Sequence, residues 1–432
     1  MTSKLLLEIL KEHTFLTVGC TDPVAVGLSA AFAYKAIGGE IFSVDVIMDK
    51  NIYKDAISVG IPGTMKTGLD LAVSLSVLFG NPENGLRLLK DVDKQCVVKA
   101  EKFLSNHKIS FSLNEEVEGI YIKSIVKTSK GIATALIRNS HDNIVEITVN
   151  QKITYSKRYS SAPKDSFNKL GCIANLTVED IFKFIKEIDS KEIAFLNQGI
   201  QTNLKAAQIG EKKRVGLGVG KLYQEMIEKR YLPDDVSSRV KQKVGAAADA
   251  RMSGMNVPIY GCFGSGNHGI TLFITMGMMA EHLKISKEET SRALSIALLI
   301  IGVIKTRTGI LTPHCGCSVA AGAGAASGIA YMLGGKEKEV ENTVHLMLAN
   351  LTGMLCDGAK YGCALKMATS AGAAIECAYM AMLNAKVPGN NGIVGWNMKQ
   401  TMDNLKIITE YGMKNIDKSV LAILLKLPYF EN

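Results

Sequence analysis

Four of the chain's nine cysteines stand in two short stretches that also carry glycine. PHCGCS at 313–318 holds Cys315 and Cys317, and LCDGAKYGC at 355–363 holds Cys356 and Cys363. A structural zinc site favours paired C-x2–4-C elements, repeated or joined to a histidine pair. C-G-C and C-x6-C fit that pattern poorly. An iron–sulfur cluster takes thiolates from loops of less regular spacing, where glycine lets backbone N–H groups approach the sulfurs. Three cysteines from two helix starts would leave one iron without a protein ligand, a Lewis acid able to hold a leaving group. In an unbroken helix, Cys356 and Cys363 would be separated by ~10.5 Å of rise, a long reach for two short side chains. Gly358 and Gly362 favour instead a loop over 356–361 with a helix beginning near Cys363, whose N-terminal dipole stabilises thiolate. Cys96, Cys172 and Cys377, and Cys262 with them, read as ordinary core or surface thiols.

Two further polar knots fall outside any amphipathic pattern, each opening a helix. VGCTDP at 18–23 offers Thr21 or Asp22 as a cap and Pro23 for the first turn. GCFGSGNHG at 261–269 offers free N–H groups of the kind that hold carboxylates at helix starts. Capping alone would explain either knot. VGLGVGK at 215–221 invites a phosphate-loop reading and fails it: Val215 stands where glycine is needed, and Leu222 replaces the serine or threonine. His268 and His314 flank the knots, and a lone histidine is more often structural than catalytic.

The elements that must position these groups divide into two textures. Residues 1–170 mix helices (3–12, 22–36, 65–79, 84–105) with strand-like runs at 40–49, 119–128, 131–139 and 143–150. Short turns separate the last three, which predicts an antiparallel meander. A polar stretch at 157–171 is the expected linker. From 171 to 432 the strand signal disappears and helical periodicities follow one another, with Thr177 and Ser286 as start signals. The fold class is therefore α+β: a small N-terminal mixed helix/antiparallel-sheet domain, then a mostly all-α helical domain. Helices rich in Ala, Gly and Ser beside the cysteines predict a closely packed core.

Composition sets outer bounds. With 432 residues, 47% hydrophobic and 21% charged, the chain is long enough for two cores and ordinary for a globular protein. Its net charge of +9 is scattered and not interleaved with aromatics, which argues against nucleic-acid binding. The longest apolar run, 293–304, is far short of a membrane span, and the N-terminus reads as an amphipathic helix without a cleavage site. No membrane association and a cytoplasmic location are expected, where cysteines serve as thiols, ligands or catalysts before cross-links.

Taken together, five stretches resemble the iron–sulfur L-cysteine desulfidase family, whose members are serine-dehydratase-like. They are GCTDPVAVGLSAA at 19–31, NIYKDAISVGIPGT at 51–64, GCFGSGNHGI at 261–270, TGILTPHCGCSVAAGAG at 308–324 and NLTGMLCDGAKYGCALK at 350–366. The resemblance covers essentially the whole chain. It implies β-elimination from a small amino-acid substrate at a [4Fe-4S] cluster, with no pyridoxal phosphate. Cysteine would give pyruvate, ammonia and sulfide; serine would give pyruvate and ammonia. The ligands it implies fall on Cys317, Cys356 and Cys363, with Cys315 as the substitute for Cys317 and Cys20 as a further contender. The gap between the last two cysteines is shorter here than in serine dehydratases. Where it is not a ligand, Cys20 is the candidate base as thiolate, with Asp22 beside it. Thr21, Asp22, Ser265, Gly266 and Asn267 would hold the ammonium and carboxylate groups. Two other classes compete: a redox- or metal-sensing protein with the same cluster, and a zinc-stapled structural protein. The small-residue helices also suit a homodimer.

Overall fold

The computed structural model describes residues 2–117, 119–157 and 167–426, so most of the expected linker lies outside the described residues. Its strands are β1 (Thr14–Val18), β2 (Ile41–Met48), β3 (Lys108–Leu113), β4 (Tyr121–Thr128), β5 (Gly131–Arg138), β6 (Ile144–Val149), β7 (Lys152–Ser156) and β8 (Pro258–Cys262). Six of them form one sheet in the order β3-β2-β4-β5-β6-β7. The expected meander is β4-β5-β6, antiparallel throughout. Strand β3 joins β2 in parallel, as the intervening helices allow. In β2, Val44, Val46 and Met48 alternate inward and meet the helices Thr21–Ile37 and Leu69–Phe79 in a shared apolar core.

The second core is helical. At its centre runs Lys287–Thr308, which buries the apolar run 293–304 from end to end. Among the described residues no helix is long and apolar enough to cross a membrane. The Ala- and Gly-rich helix Ala323–Met332 packs along it. Ser286 accepts from Glu289 N, and Thr177 forms a capping box with Asp180.

Three local expectations change. A continuous helix over 84–105 is broken into a tight turn at Pro82–Arg87 and a helix Lys94–Asn106, because Asp93 accepts from Cys96 N and starts the chain afresh. Strand structure does not end with the first texture: β8 pairs antiparallel with β1. Neither five-residue segment shows a periodicity of its own, and their pairing is long-range. The first helix, Ser3–Glu12, buries Leu6, Leu7, Ile9 and Leu10 in the helical core.

A buried ion pair also ties early and late chain together. Lys54 Nζ, 1% exposed, lies 2.7 Å from Asp417 Oδ1 on the helix Ile416–Leu425. Burial alone would lower the Lys54 pKa, but the charges of Asp55, Cys356 and Asp417 raise it. Lys54→Met should destabilise the chain by about 3–5 kcal/mol, because it strands Asp417 in the interior. Adding Asp417→Leu should recover much of that loss, which denaturant titration of the single and double variants would measure.

Candidate functional site

The two thiol segments are joined by backbone pairing. Cys315 N donates to Met354 O at 2.7 Å, Cys356 N donates to Pro313 O at 2.7 Å, and His314 and Leu355 form an antiparallel bridge between them. His314 braces the joint from within: its Nδ1 is 2.8 Å from Thr352 O and its Nε2 is 3.0 Å from Thr409 Oγ1. Both ring nitrogens are thus engaged, although the residue also lines the cavity formed here. A helix begins at Cys317 and continues to Met332, and another runs Cys363–Met382, so each segment delivers one thiol in a loop and one at a helix start. Between Cys356 and Cys363 the chain stays non-helical, held by Asp357, which pairs with both Lys360 and Lys366. Lys366 Nζ also donates to Leu355 O at 2.6 Å. The lysine of LCDGAKYGC therefore belongs to the brace that shapes the loop.

These thiols face a cavity whose wall also carries Cys20, Thr21, Asp22, Ser265 and Asn267. Gly266 does not reach the wall. Its Cα backs the Arg251 guanidinium, where an added Cβ would lie 2.6 Å from Nε. A Cβ on Gly316, between the paired thiols, would lie 2.2 Å from His268 Nε2. Cys20 packs with Val59, Met252 and Cys363 in a small apolar cluster, which brings the GCTDP motif against the thiol loop.

The GCTDP knot is not a cap. Cys20 holds the N-cap position of Thr21–Ile37 with no side-chain capping bond, since the Asp22 carboxylate is engaged elsewhere. Cys20 Sγ donates to Asp22 Oδ2 at 3.3 Å, and His141 Nε2 lies 3.1 Å from Asp22 Oδ1. Burial alone would raise Asp22 and lower His141, but their mutual hydrogen bond and charge reverse both directions and so favour the carboxylate and the protonated imidazole. Burial and Asp22 push the Cys20 thiol up, opposed by Arg251. In GCFGSGNHG, Ser265 N and O both pair with Cys262, so part of that knot's backbone is already satisfied. The glycine run at 215–221 wraps an internal anion: Gly220 N donates to Asp249 Oδ2 at 3.0 Å.

The electrostatics of the wall suit a sulfur-bound cationic core. Burial pushes Cys356 up to about 12 and Cys363 up to about 11, so each is a thiol unless positive charge is added. A hydrogen bond with Cys317 pulls Cys315 down to about 6, while that same bond raises Cys317. Lys305, fully buried, is lowered by burial to about 8 despite the neighbouring Cys317 and Cys356. It would complement the net negative charge of a thiolate-ligated cluster. Among the described residues no three His, Cys, Asp or Glu side chains form a seat for a single metal ion. The all-sulfur donor set on one cavity wall fits an iron–sulfur group.

Four residues at or behind this wall escaped the sequence reading: Asp55, Arg251 and Lys305 on it, and His141 behind Asp22. His141 lies in the SHD segment that reads as a plain turn. Arg251 carried one signal, a single arginine in the alanine-rich run AAADARM, where a solvated face would show more charge. Asp55 and Lys305 sit in ordinary helical patterns. Cys262 is buried at the end of β8 and lies off the cavity wall.

Residues 83–422 match the family of serine dehydratase alpha chains. The chain is 36% identical over 420 residues to a UPF0597 protein of Clostridioides difficile, covering 97% of this chain and 98% of that one. It is 36% identical over 422 residues to a UPF0597 protein of Caldanaerobacter subterraneus subsp. tengcongensis, covering 98% of both. A UPF0597 protein of Desulfotalea psychrophila matches at 36% over 424 residues, 96% of this chain and 97% of that one.

Proposed function

We propose a lyase from one premise: the chain belongs to the serine dehydratase alpha-chain family. The reaction is β-elimination from a small α-amino acid without pyridoxal phosphate, with L-cysteine as substrate and pyruvate, ammonia and sulfide as products. One observation carries the reading. Thiols from two distant segments are locked together by a β-bridge on a cavity wall that also holds Cys20 and Asp22.

Cys317, Cys356 and Cys363 would hold a [4Fe-4S] cluster, with Cys315 as the alternative to Cys317. When bound, the cluster supplies an iron without a protein ligand, which polarises the bond from Cβ to its leaving group. Cys20 sulfur takes the Cα proton while its own proton passes to Asp22 Oδ2, the atom to which it already donates. His141 holds Asp22 in place for that transfer. The electron pair left at Cα forms the Cα=Cβ bond as the bond from Cβ to sulfur breaks. The enamine released tautomerises and takes up water to give pyruvate and ammonia. L-Serine is the alternative substrate, supported by the family's description, and its hydroxyl would leave in place of the thiol.

Anaerobic reconstitution with iron and sulfide, a visible spectrum, and pyruvate and sulfide assays with both amino acids test this reading. A brown, oxygen-sensitive protein that releases pyruvate is the expected result. Colour without turnover would point to a redox- or metal-sensing protein, and a colourless product would remove the cluster.

A further inference from the structure

Two charged side chains on the cavity wall are buried and incompletely satisfied. Arg251 is 2% exposed. Its Nη1 donates to Asn267 Oδ1 at 2.8 Å, while Nε has no hydrogen-bond partner among the described residues. Asp55 Oδ1 is likewise without a hydrogen-bond partner among them. Lys54 Nζ stands 3.9 Å from it and is engaged at 2.7 Å with Asp417. A buried charged group with unmet hydrogen bonds is costly, and a ligand that meets them recovers that cost on binding.

The other charged groups on the wall are already committed. Asp22 accepts from Cys20 and pairs with His141, and Lys305 Nζ donates to Ile310 O at 2.9 Å. Among the described residues, the wall's buried side-chain atoms without a hydrogen-bond partner are Arg251 Nε, Asp55 Oδ1 and His268 Nδ1. Burial and Lys305 lower His268, which favours its neutral form and leaves the guanidinium and the carboxyl group as the ionic pair. They come from different parts of the fold: Asp55 from the helix Lys50–Ala56, and Arg251 from the last turn of Val236–Met252.

We propose that Arg251 and Asp55 form a two-point clamp for a zwitterionic α-amino acid, the guanidinium holding its α-carboxylate and the carboxylate its α-ammonium. The clamp rests on reading the cavity as an amino-acid site and deepens that reading by naming what selects the substrate class. A guanidinium suits a carboxylate because its donors lie in one plane with fork geometry. Burial has already stripped Asp55 of water and raises it to about 7, so an ammonium beside it favours the carboxylate form and meets its open oxygen. Holding both charged ends leaves the β-substituent free for the thiol-lined wall. The clamp also selects α-amino acids over hydroxy acids and simple amines, each of which satisfies only one point.

L-Alanine is the probe, because it carries both charged ends and no leaving group, so binding is measured without turnover. Calorimetric titration of the anaerobically reconstituted full chain compares alanine with alaninamide, which lacks the carboxylate, and propionate, which lacks the ammonium. The wild type should bind alanine at least about tenfold more tightly than either analogue. Arg251→Gln should weaken alanine by about 10- to 100-fold and leave alaninamide nearly unchanged. Asp55→Asn should weaken alanine similarly and leave propionate nearly unchanged. Arg251→Lys, which keeps the charge, should restore part of the loss. Equal affinity of the wild type for all three probes, or no binding of alanine, would overturn the clamp. So would an Arg251→Gln loss of the same size for alanine and alaninamide, which marks a merely structural arginine. The comparison of probes on the wild type remains decisive if a variant fails to fold. If the clamp pattern appears while neither cysteine nor serine yields pyruvate, the lyase reading fails and the clamp stands. If cysteine is turned over and the pattern is absent, the reverse holds.

Discussion

Cys356→Ala, purified and reconstituted without oxygen, should lack the visible absorbance of the cluster and release pyruvate only at background. Three features single out this thiol. It faces the cavity, its backbone N–H is fixed to Pro313 O at 2.7 Å, and its loop is clamped by Asp357 with Lys360 and Lys366. A side chain on a loop so fixed has little freedom to turn away from the cavity. The fold should survive, because the residue is only half-buried and the β-bridge is made by backbone. Circular dichroism checks that point. Cys96→Ala is the control: Cys96 lies on the helix Lys94–Asn106, off the cavity wall, and its variant should keep both colour and turnover. The same assay separates the paired thiols. Of Cys315→Ala and Cys317→Ala, the one that loses absorbance identifies the ligand, and Cys317 is expected. Full absorbance and turnover in Cys356→Ala would remove the cluster assignment at its firmest point.

The thiol wall was legible because its signal is local. Glycines around Cys356 and Cys363 argue against a continuous helix, and the helix does begin at Cys363. The meander was legible for the same reason, since short turns join β4, β5 and β6. What could not be read depends on contacts distant in sequence. The pairing of β1 with β8 spans most of the chain, and neither partner alternates for long enough to declare itself. His141 becomes part of the site only when the sheet brings a surface-like turn against Asp22, 119 residues away. Arg251 and Asp55 are similar cases. Each lies on a helix whose pattern is satisfied without it, and only burial reveals that their charges have somewhere to point. For the polar knots, local pattern leaves capping and a place in the site equally open, and the structure puts Thr21, Asp22, Ser265 and Asn267 on the cavity wall. A Thr-Asp-Pro helix start suggests capping on local grounds, and the long-range pair with His141 overrides it.

Cys20→Ala should reduce turnover by ~10²–10⁴-fold, the range of a lost acid–base group, while leaving the cluster absorbance intact. The two readouts must be taken together, because Cys20 packs beside Cys363 and a loss of colour would make it a ligand instead. The relay gives a sharper expectation than the single variant. Cys20 donates to one oxygen of Asp22 and His141 holds the other, so the thiol can act only as fast as Asp22 accepts its proton. Asp22→Asn keeps the shape but accepts no proton and cannot balance an imidazolium. It should therefore lower turnover on the same scale, and the double variant Cys20→Ala/Asp22→Asn should be little worse than either single one. Groups that act as one unit lose their function once, whereas independent contributions would multiply. In the free site, burial and Asp22 disfavour the thiolate, so the sulfur gains basicity only as its own proton leaves. Multiplying defects in the double variant would separate the two residues, and full turnover in Cys20→Ala would take the sulfur out of the chemistry altogether.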